Sequence, residues 1–204
     1  MAPLVVGFDL DMTLIDSRPG IVATVEALAA ETGVAIDAPL VVSRLGPTLE
    51  EEMANWYPAE HVGTVSDRFR ELYTDLGVPG CSLLPGAAES VAAVAAARGR
   101  SLVVTAKYEP NAHRCLEQVG LEVDVVVGWR WGPDKATTLA EHGAAAYVGD
   151  TPSDMAAALA AAALAVGVPT GPHPADELRS AGAEVVLDSL HGFPTWFADW
   201  RPTG

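Results

Sequence analysis

Phe8–Ser17 reads FDLDMTLIDS and follows the short apolar run Leu4–Val6, so two aspartates, Asp9 and Asp11, stand where a buried strand should end. Carboxylates one residue apart repel each other and resist desolvation. At the rim of a core they need a cation, a shared proton or full solvation. Turn chemistry offers a plainer account, since Asp, Thr and Ser also serve as turn and cap residues where a strand leaves the core. The surrounding chain decides between the two.

Immediately downstream, RPGIVATVEALAAETG puts Ile21, Val22, Val25, Leu28 and Ala29 on one helical face and ends at Gly33. PTLEEEMANWY repeats the pattern with Leu49, Met53 and Trp56, and HVGTVSDRFRELYTDLG with Val62, Val65, Phe69, Leu72, Tyr73 and Leu76. Ser17 to Cys81 therefore reads as wholly helical. Beyond it, alanine-rich helices alternate with the β-rich runs SLVVTA, VDVVVG, AAYVGD, ALAVGV and EVVLD. Such alternation predicts βα units and a parallel sheet covered on both faces. The first strand belongs with the later ones. The expected fold is thus α/β: a doubly wound, Rossmann-like parallel-sheet core formed by residues 1–16 and 82–204, with an all-helical cap, residues 17–81, inserted into it.

Open parallel sheets bind ligands beyond the carboxyl ends of their strands. Read off in order, those ends carry Asp9 and Asp11, then Thr105 and Lys107, then the loop GWRWGPDK with Lys135, then Asp150 in GDTPSD. Carboxylates, a hydroxyl and an ammonium gathered at one edge suit a Mg²⁺ ion holding a phosphate. Thr151, Pro152 and Asp154 also fit a helix start with a capping box, an alternative that covers Asp154 and leaves Asp150 unexplained. The chain has ten arginines and only two lysines, Lys107 and Lys135. A compact ammonium suits a small anion beside a carboxylate, where a guanidinium fork would compete for space.

The bulk properties narrow the classes. Half of the 204 residues are apolar, and the formal net charge is −15, which argues against nucleic acid and anionic membranes as partners. Cys81 and Cys115 read as packing residues of a reducing compartment. No targeting segment is visible, and MAAALAAAALAVGV from Met155 is shorter than a membrane span, so a cytoplasmic protein is expected. The five histidines are scattered without ligand spacing. Trp129 and Trp131, flanking Arg130, read as packing their loop onto the core rather than lining a pocket. Phe193, Trp196, Phe197 and Trp200 form a helical stripe that docks the last helix, leaving monomer or homodimer open.

The residues resemble the haloacid dehalogenase superfamily, in particular its phosphatase branch related to phosphoglycolate phosphatases. DLDMTLIDS matches the first motif, VVTAK the second with Thr105 as the phosphate-binding hydroxyl, Lys135 the third, and GDTPSD the acidic fourth. The stretch departs at Met12, where glycine is common, and Lys107 follows a position usually occupied by Asn, leaving two lysines for one role.

The resemblance implies a Mg²⁺-dependent phosphatase acting on a small phosphorylated metabolite through an aspartyl-phosphate. Asp9 would be the nucleophile and Asp11 the general acid, then base. Mg²⁺ would be bound by Asp9, the backbone carbonyl of Asp11 and Asp150, with Asp154 supporting it directly or through water. Thr105 and Lys135 would hold the phosphoryl oxygens. Thr13, Lys107, Arg18 and Arg44 complete the substrate-binding candidates, Thr13 by orienting the first-motif loop and the two arginines by meeting a second anionic group. A dehalogenase needs neither a metal nor an acid at Asp11, and a phosphonate-cleaving relative needs a cap lysine, which residues 17–81 lack. A sugar phosphomutase is the nearest rival. A non-catalytic module binding Mg²⁺ or phosphate is the alternative from another class.

Overall fold

The strand that ends at FDLD occupies the middle of a six-stranded parallel sheet. The computed structural model describes residues 3–200. In it β1 (Val5–Phe8) leads through a two-residue strand β2 (Ile15–Asp16) into four helices, α1 (Arg18–Thr32), α2 (Ala38–Ser43), α3 (Leu49–Met53) and α4 (Ala59–Leu72). A π turn (Tyr73–Gly77) and a 3₁₀ turn (Val78–Gly80) bring the chain back at β3 (Ser82–Leu83), which pairs antiparallel with β2. The helical segment thus leaves and re-enters through adjacent strands. Within it α2 was not marked by any periodic run.

From there α5 (Ala87–Ala96), β4 (Arg100–Val104), α6 (Glu109–Val119), β5 (Val125–Val127), α7 (Pro133–Glu141) and β6 (Ala144–Gly149) follow in alternation. They continue with α8 (Pro152–Ala160), β7 (Leu164–Gly167), α9 (Ala175–Ser180), β8 (Val185–Val186) and α10 (Phe193–Trp200). The sheet order is β5-β4-β1-β6-β7-β8, with every adjacent pair parallel. The chain runs outward from β1 in one direction, then crosses to β6 and runs outward in the other. Between β4 and β6 the order reverses, and this is where such sheets open a crevice at the strand ends.

Period-two alternation separates two cores. Val6, Phe8, Val103 and Val148 face Val91 and Val94 of α5, Cys115 of α6, and Phe193 and Phe197 of α10. Leu102, Val104, Tyr147 and Ala165 face Leu139 of α7, Met155 of α8 and Leu178 of α9. The C-terminal stripe is a docking face, with the Phe8 and Phe193 rings 5.4 Å apart. Fully burying one such side chain contributes about 1.5–3 kcal/mol. The first core is continuous with residues of the helical segment, including Val25, Leu28, Phe69 and Tyr73. Cys81 and Cys115 are buried free thiols within it, their sulfurs 3.3 Å apart. No helix among the described residues is long and apolar enough to cross a membrane.

Candidate active site

Three adjacent strands, β4, β1 and β6, end side by side, and this brings Thr105, Asp9 and Asp150 together from distant parts of the chain. The Asp9 N–H still donates to Val148 O at 2.8 Å, so its backbone prolongs the sheet while its side chain leaves it. Asp9, Asp150 and Asp154 each present a carboxylate oxygen, all three within 4.8 Å of one another. They are 7%, 1% and 0% exposed. Burial pushes Asp9 up to about 7 against the pull of Lys135, with Asp154 adding to the rise. Asp150 is raised well above the usual carboxylate range by burial, then by Asp154 and Asp9. Charge of this density calls for cations.

One of them is Lys135, expected in a loop but found in the first turn of α7, where Pro133 opens the helix and turns the lysine inward. Its Nζ donates to Asp9 Oδ1 at 2.8 Å and to Asp154 Oδ1 at 2.6 Å, and lies 5.5 Å from the centre of the Tyr147 ring. Burial alone would lower its pKa, but Asp154 and then Asp9 outweigh that and raise it well above the ordinary lysine value.

Asp154 satisfies both of its sequence readings. It closes a capping box with Thr151, whose N–H and hydroxyl donate to Oδ2 at 3.1 and 2.7 Å. Its Oδ1 receives Lys135 and, at 3.4 Å, the Tyr147 hydroxyl. Both oxygens are engaged. By contrast, Asp9 Oδ2 and Asp150 Oδ2 receive no donor among the described residues, while Asp150 Oδ1 accepts from the Thr13 hydroxyl at 2.9 Å. Two free carboxylate oxygens in a hard, oxygen-only cluster fit a small divalent cation. Backbone without side chains walls this cluster. A Cβ on Gly171 would come within 1.9 Å of Asp150 Oδ2, and one on Gly149 within 2.4 Å of the Asp154 Cβ.

Asp11 points elsewhere. Its Oδ1 accepts from Lys107 Nζ at 2.8 Å, and that ammonium lies 4.5 Å from the centre of the Tyr73 ring, which the helical segment supplies. Burial lowers the lysine pKa, but Asp11 reverses the effect and leaves it raised. Thr105, 1% exposed, accepts from the Lys107 N–H at 3.2 Å through Oγ1, which leaves its own hydroxyl hydrogen to donate.

These groups line one cavity with Arg44, Leu45, Leu49, Met53, Phe69, Arg70, Tyr73 and Trp131. Several expectations need correction. Thr13 is fully buried and its hydroxyl is committed to Asp150, so it orients that carboxylate instead of meeting substrate. Arg18 lies outside the cavity lining, held by Asp16 through Nε at 2.9 Å and Nη2 at 2.6 Å. Arg44 does line the cavity, as a candidate for meeting an anionic group should; it lies 3.4 Å from Glu52 and over the Trp56 ring, with its Nε buried and without a partner among the described residues. Trp129 and Trp131 do not bury themselves in the core. They line the cavity, with Trp129 54% exposed.

Tyr73, Tyr147, Arg70 and Gly171 carried no warning in the sequence. Tyr147 looked like sheet filler, although strand alternation does place it on the α8 face beneath Lys135. Arg70 packs its guanidinium over Tyr108 and Trp129, partners remote in sequence.

Comparison with known proteins agrees with this geometry. Residues 6–168 match the family model described as haloacid dehalogenase-like hydrolase. A phosphoglycolate phosphatase of Rhodospirillum rubrum is 31% identical, the match covering 99% of this chain and 94% of the relative. A protein of Dickeya dadantii named probable phosphatase IndB is 30% identical, covering 93% and 91%. A haloacid dehalogenase-like hydrolase from Streptococcus pneumoniae superposes with a TM-score of 0.83 over 96% of this chain and 98% of that one, at 20% identity. Sequence match across the core and a shared fold lead to one assignment: the chain belongs to the haloacid dehalogenase-like hydrolase family.

Proposed function

We propose that the protein is a Mg²⁺-dependent phosphatase that hydrolyses a small phosphate monoester through an aspartyl-phosphate on Asp9. The observation that carries this reading is the division of labour between the two first-motif aspartates. Asp9 sits in the buried cluster with Asp150 and Asp154, whereas Asp11 is turned out of it onto Lys107 and into the cavity. This difference supports reading one carboxylate as nucleophile and the other as proton carrier.

In this reading Asp9, the Asp11 backbone carbonyl and Asp150 hold the metal. Asp154, already saturated by donors, supports it through water and fixes Lys135. Bound there, Mg²⁺ supplies the positive charge that lets an anionic carboxylate meet an anionic phosphate. Asp9 attacks phosphorus, the ester bond breaks, and Asp11 delivers its proton to the departing alcohol oxygen. Asp11 then takes a proton from water as that water attacks the aspartyl-phosphate, releasing phosphate and restoring Asp9. Thr105 and Lys135 bind equatorial phosphoryl oxygens, where charge develops. The helical residues 17–81 act as a cap over the edge.

Phosphate release from a panel of small phosphorylated metabolites, with Mg²⁺ and with chelator, tests this. Activity should need Mg²⁺ and vanish in Asp9→Asn. Interconversion of sugar phosphates without net phosphate release would favour a mutase, and metal binding without turnover a non-catalytic module.

A further inference from the structure

Cys81 and Cys115 are the two cysteines of the chain, and packing explains why each is buried but not why their sulfurs meet from 34 residues apart. Cys81 follows the 3₁₀ turn Val78–Gly80, on the linker that returns the helical segment to β3, whereas Cys115 lies on α6 of the sheet core. The linker is closely built. A Cβ on Gly80 would come within 2.6 Å of the Gly20 N at the start of α1, and one on Gly77 within 2.2 Å of the Tyr73 ring. The two Sγ atoms are 3.3 Å apart, and the Tyr73 hydroxyl lies 3.4 Å from that of Cys81 and 3.9 Å from that of Cys115. The same tyrosine offers its ring to Lys107 at 4.5 Å, and Lys107 holds Asp11. One buried side chain therefore joins the thiol pair to the site.

The two thiols are not equivalent. The hydrogen bond with Cys115 lowers Cys81 to about 7 against burial, and the Tyr73 hydroxyl and the Lys107 charge add to the fall. Cys115 is pushed up, first by its hydrogen bond with Cys81 and then by burial. Cys81 is also the more open of the pair, at 7% against 0% exposure. A thiolate is the nucleophile in sulfur chemistry, and a second thiol beside it resolves the product.

We propose that Cys81 and Cys115 are a site of oxidation by hydrogen peroxide, closing to a disulfide that ties the return linker to α6 and slows the enzyme through Tyr73 and Lys107. Cys81 Sγ attacks one peroxide oxygen. The S–O bond forms, the O–O bond breaks, and the departing hydroxide takes the proton given up by the Cys81 thiol and leaves as water. Cys115 Sγ then attacks Cys81 Sγ, so that the S–S bond forms, the S–O bond breaks, and hydroxide leaves with the Cys115 proton as a second water. Two electrons pass from the thiols to one peroxide. Closure draws the sulfurs from 3.3 Å to about 2.0 Å and leaves the buried Tyr73 hydroxyl beside weak acceptors only. A tyrosine displaced there loosens the ammonium that fixes Asp11. In a reducing compartment the pair is open at rest, and a disulfide formed transiently acts as a sensor. The oxidation is independent of the phosphatase reading; its effect on rate rests on that reading.

The test treats the reduced protein with hydrogen peroxide, titrates its thiols after denaturation, and follows kcat on para-nitrophenyl phosphate with Mg²⁺ before and after dithiothreitol. Both thiols should disappear, a non-reducing digest should yield one peptide pair linking Cys81 to Cys115 within a single chain, and kcat should fall by about three- to tenfold, less than the full contribution of a positioned acid or base. Dithiothreitol should restore thiols and rate together. Because it reduces disulfides and leaves methionine sulfoxide untouched, recovery assigns the effect to the pair. Cys115→Ala should stop at a sulfenic acid on Cys81, trapped by dimedone, and Cys81→Ala should leave Cys115 unmodified. Where a variant does not fold, the thiol count and linked peptide of the unsubstituted protein decide. Surviving thiols, a link between two molecules, or thiol loss that dithiothreitol does not reverse overturns the proposal. A disulfide that forms with kcat unchanged overturns the brake through Tyr73. No turnover by the reduced protein, together with no trapped phosphoryl group on Asp9, removes the phosphatase reading and the effect on rate, while the thiol count still decides the site of oxidation.

Discussion

Lys107 Nζ lies 2.8 Å from Asp11 Oδ1 and 4.5 Å from the centre of the Tyr73 ring, so one ammonium touches the proposed proton carrier and the helical segment at once. Tyr73 and Asp11 are 62 residues apart in sequence and come together only because the π turn returns the chain over the sheet edge. Position of the helical segment and position of Asp11 are thereby linked through a single side chain.

Replacing Lys107 with Met keeps most of the length of the side chain and removes the charge. Asp11 then loses its only side-chain hydrogen-bond partner among the described residues, and its fixed orientation. We expect kcat to fall by about 10–100-fold, a part of the roughly 10²–10⁴-fold that a positioned acid or base supplies, and the pH profile of kcat to change. KM should move less than kcat. A KM increase with unchanged kcat would place Lys107 on the substrate instead of on Asp11.

Lys135→Met should act first on the fold. The substitution leaves Asp9 and Asp154 buried without their shared cation, and breaking a buried ion pair in this way costs about 3–5 kcal/mol. Urea unfolding without metal measures it. Saturating Mg²⁺ should return part of the loss, because a cation bound at Asp9 and Asp150 offsets the same excess charge.

Metal-free protein should lose stability as the pH rises from about 4 to about 7. Asp9 ordinarily titrates near 3.8 and is pushed up to about 7 in the fold, first by burial. Below the lower value both states carry the proton and the full contribution is present. Between the two the unfolded chain has lost its proton while the fold retains it, so deprotonation increasingly favours unfolding. Asp150, also raised, acts with the same sign. Melting temperatures across this range should fall in chelator and hold nearly level in saturating Mg²⁺. Asp9→Asn should flatten the chelator curve. Asp16 and Asp124 are lowered, by hydrogen bonds from Arg18 and from the Ser101 N–H respectively, so their contributions are lost at more acidic pH and do not mimic this slope.

The strands were legible because VDVVVG, AAYVGD and ALAVGV are short, β-branched or alanine-rich, and bounded by turns; their parallel order then followed from the helices between them. Asp9, Asp11, Thr105 and Asp150 were legible for the same reason, each standing where a run of apolar residues stops. Lys135 was found by its rarity, but its helix was not, since Gly132 and Pro133 look like a turn and are in fact a helix start. Pairings across the cavity left no local trace. Arg18 and Arg44 looked alike as candidates for meeting a second anionic group, and only their positions in space distinguish an outlying ion pair with Asp16 from a residue of the cavity wall. Thr13 was assigned to substrate because motif position says nothing about where a hydroxyl points.

Met12 is the residue of FDLDMTLIDS that the chemistry does not use, and it takes φ 61°, the left-handed region that suits the glycine common at this position. A side chain there costs about 1–2 kcal/mol. Met12 is nevertheless 1% exposed, and truncating a buried methionine to alanine costs about 2–5 kcal/mol. Glycine would also add about 0.5–1 kcal/mol of unfolded-chain entropy. Burial outweighs strain on these magnitudes, so Met12→Gly should destabilise the protein by about 0.5–5 kcal/mol in urea unfolding. The backbone contacts of the loop, Met12 N–H to Ile15 O at 2.8 Å and the Thr170 hydroxyl to Met12 O, involve no side chain of Met12 and should keep Asp11 in place. Activity per folded molecule should therefore change by less than about threefold. A neutral or stabilising outcome would mean that the left-handed turn, not the buried side chain, dominates the energetics of this stretch.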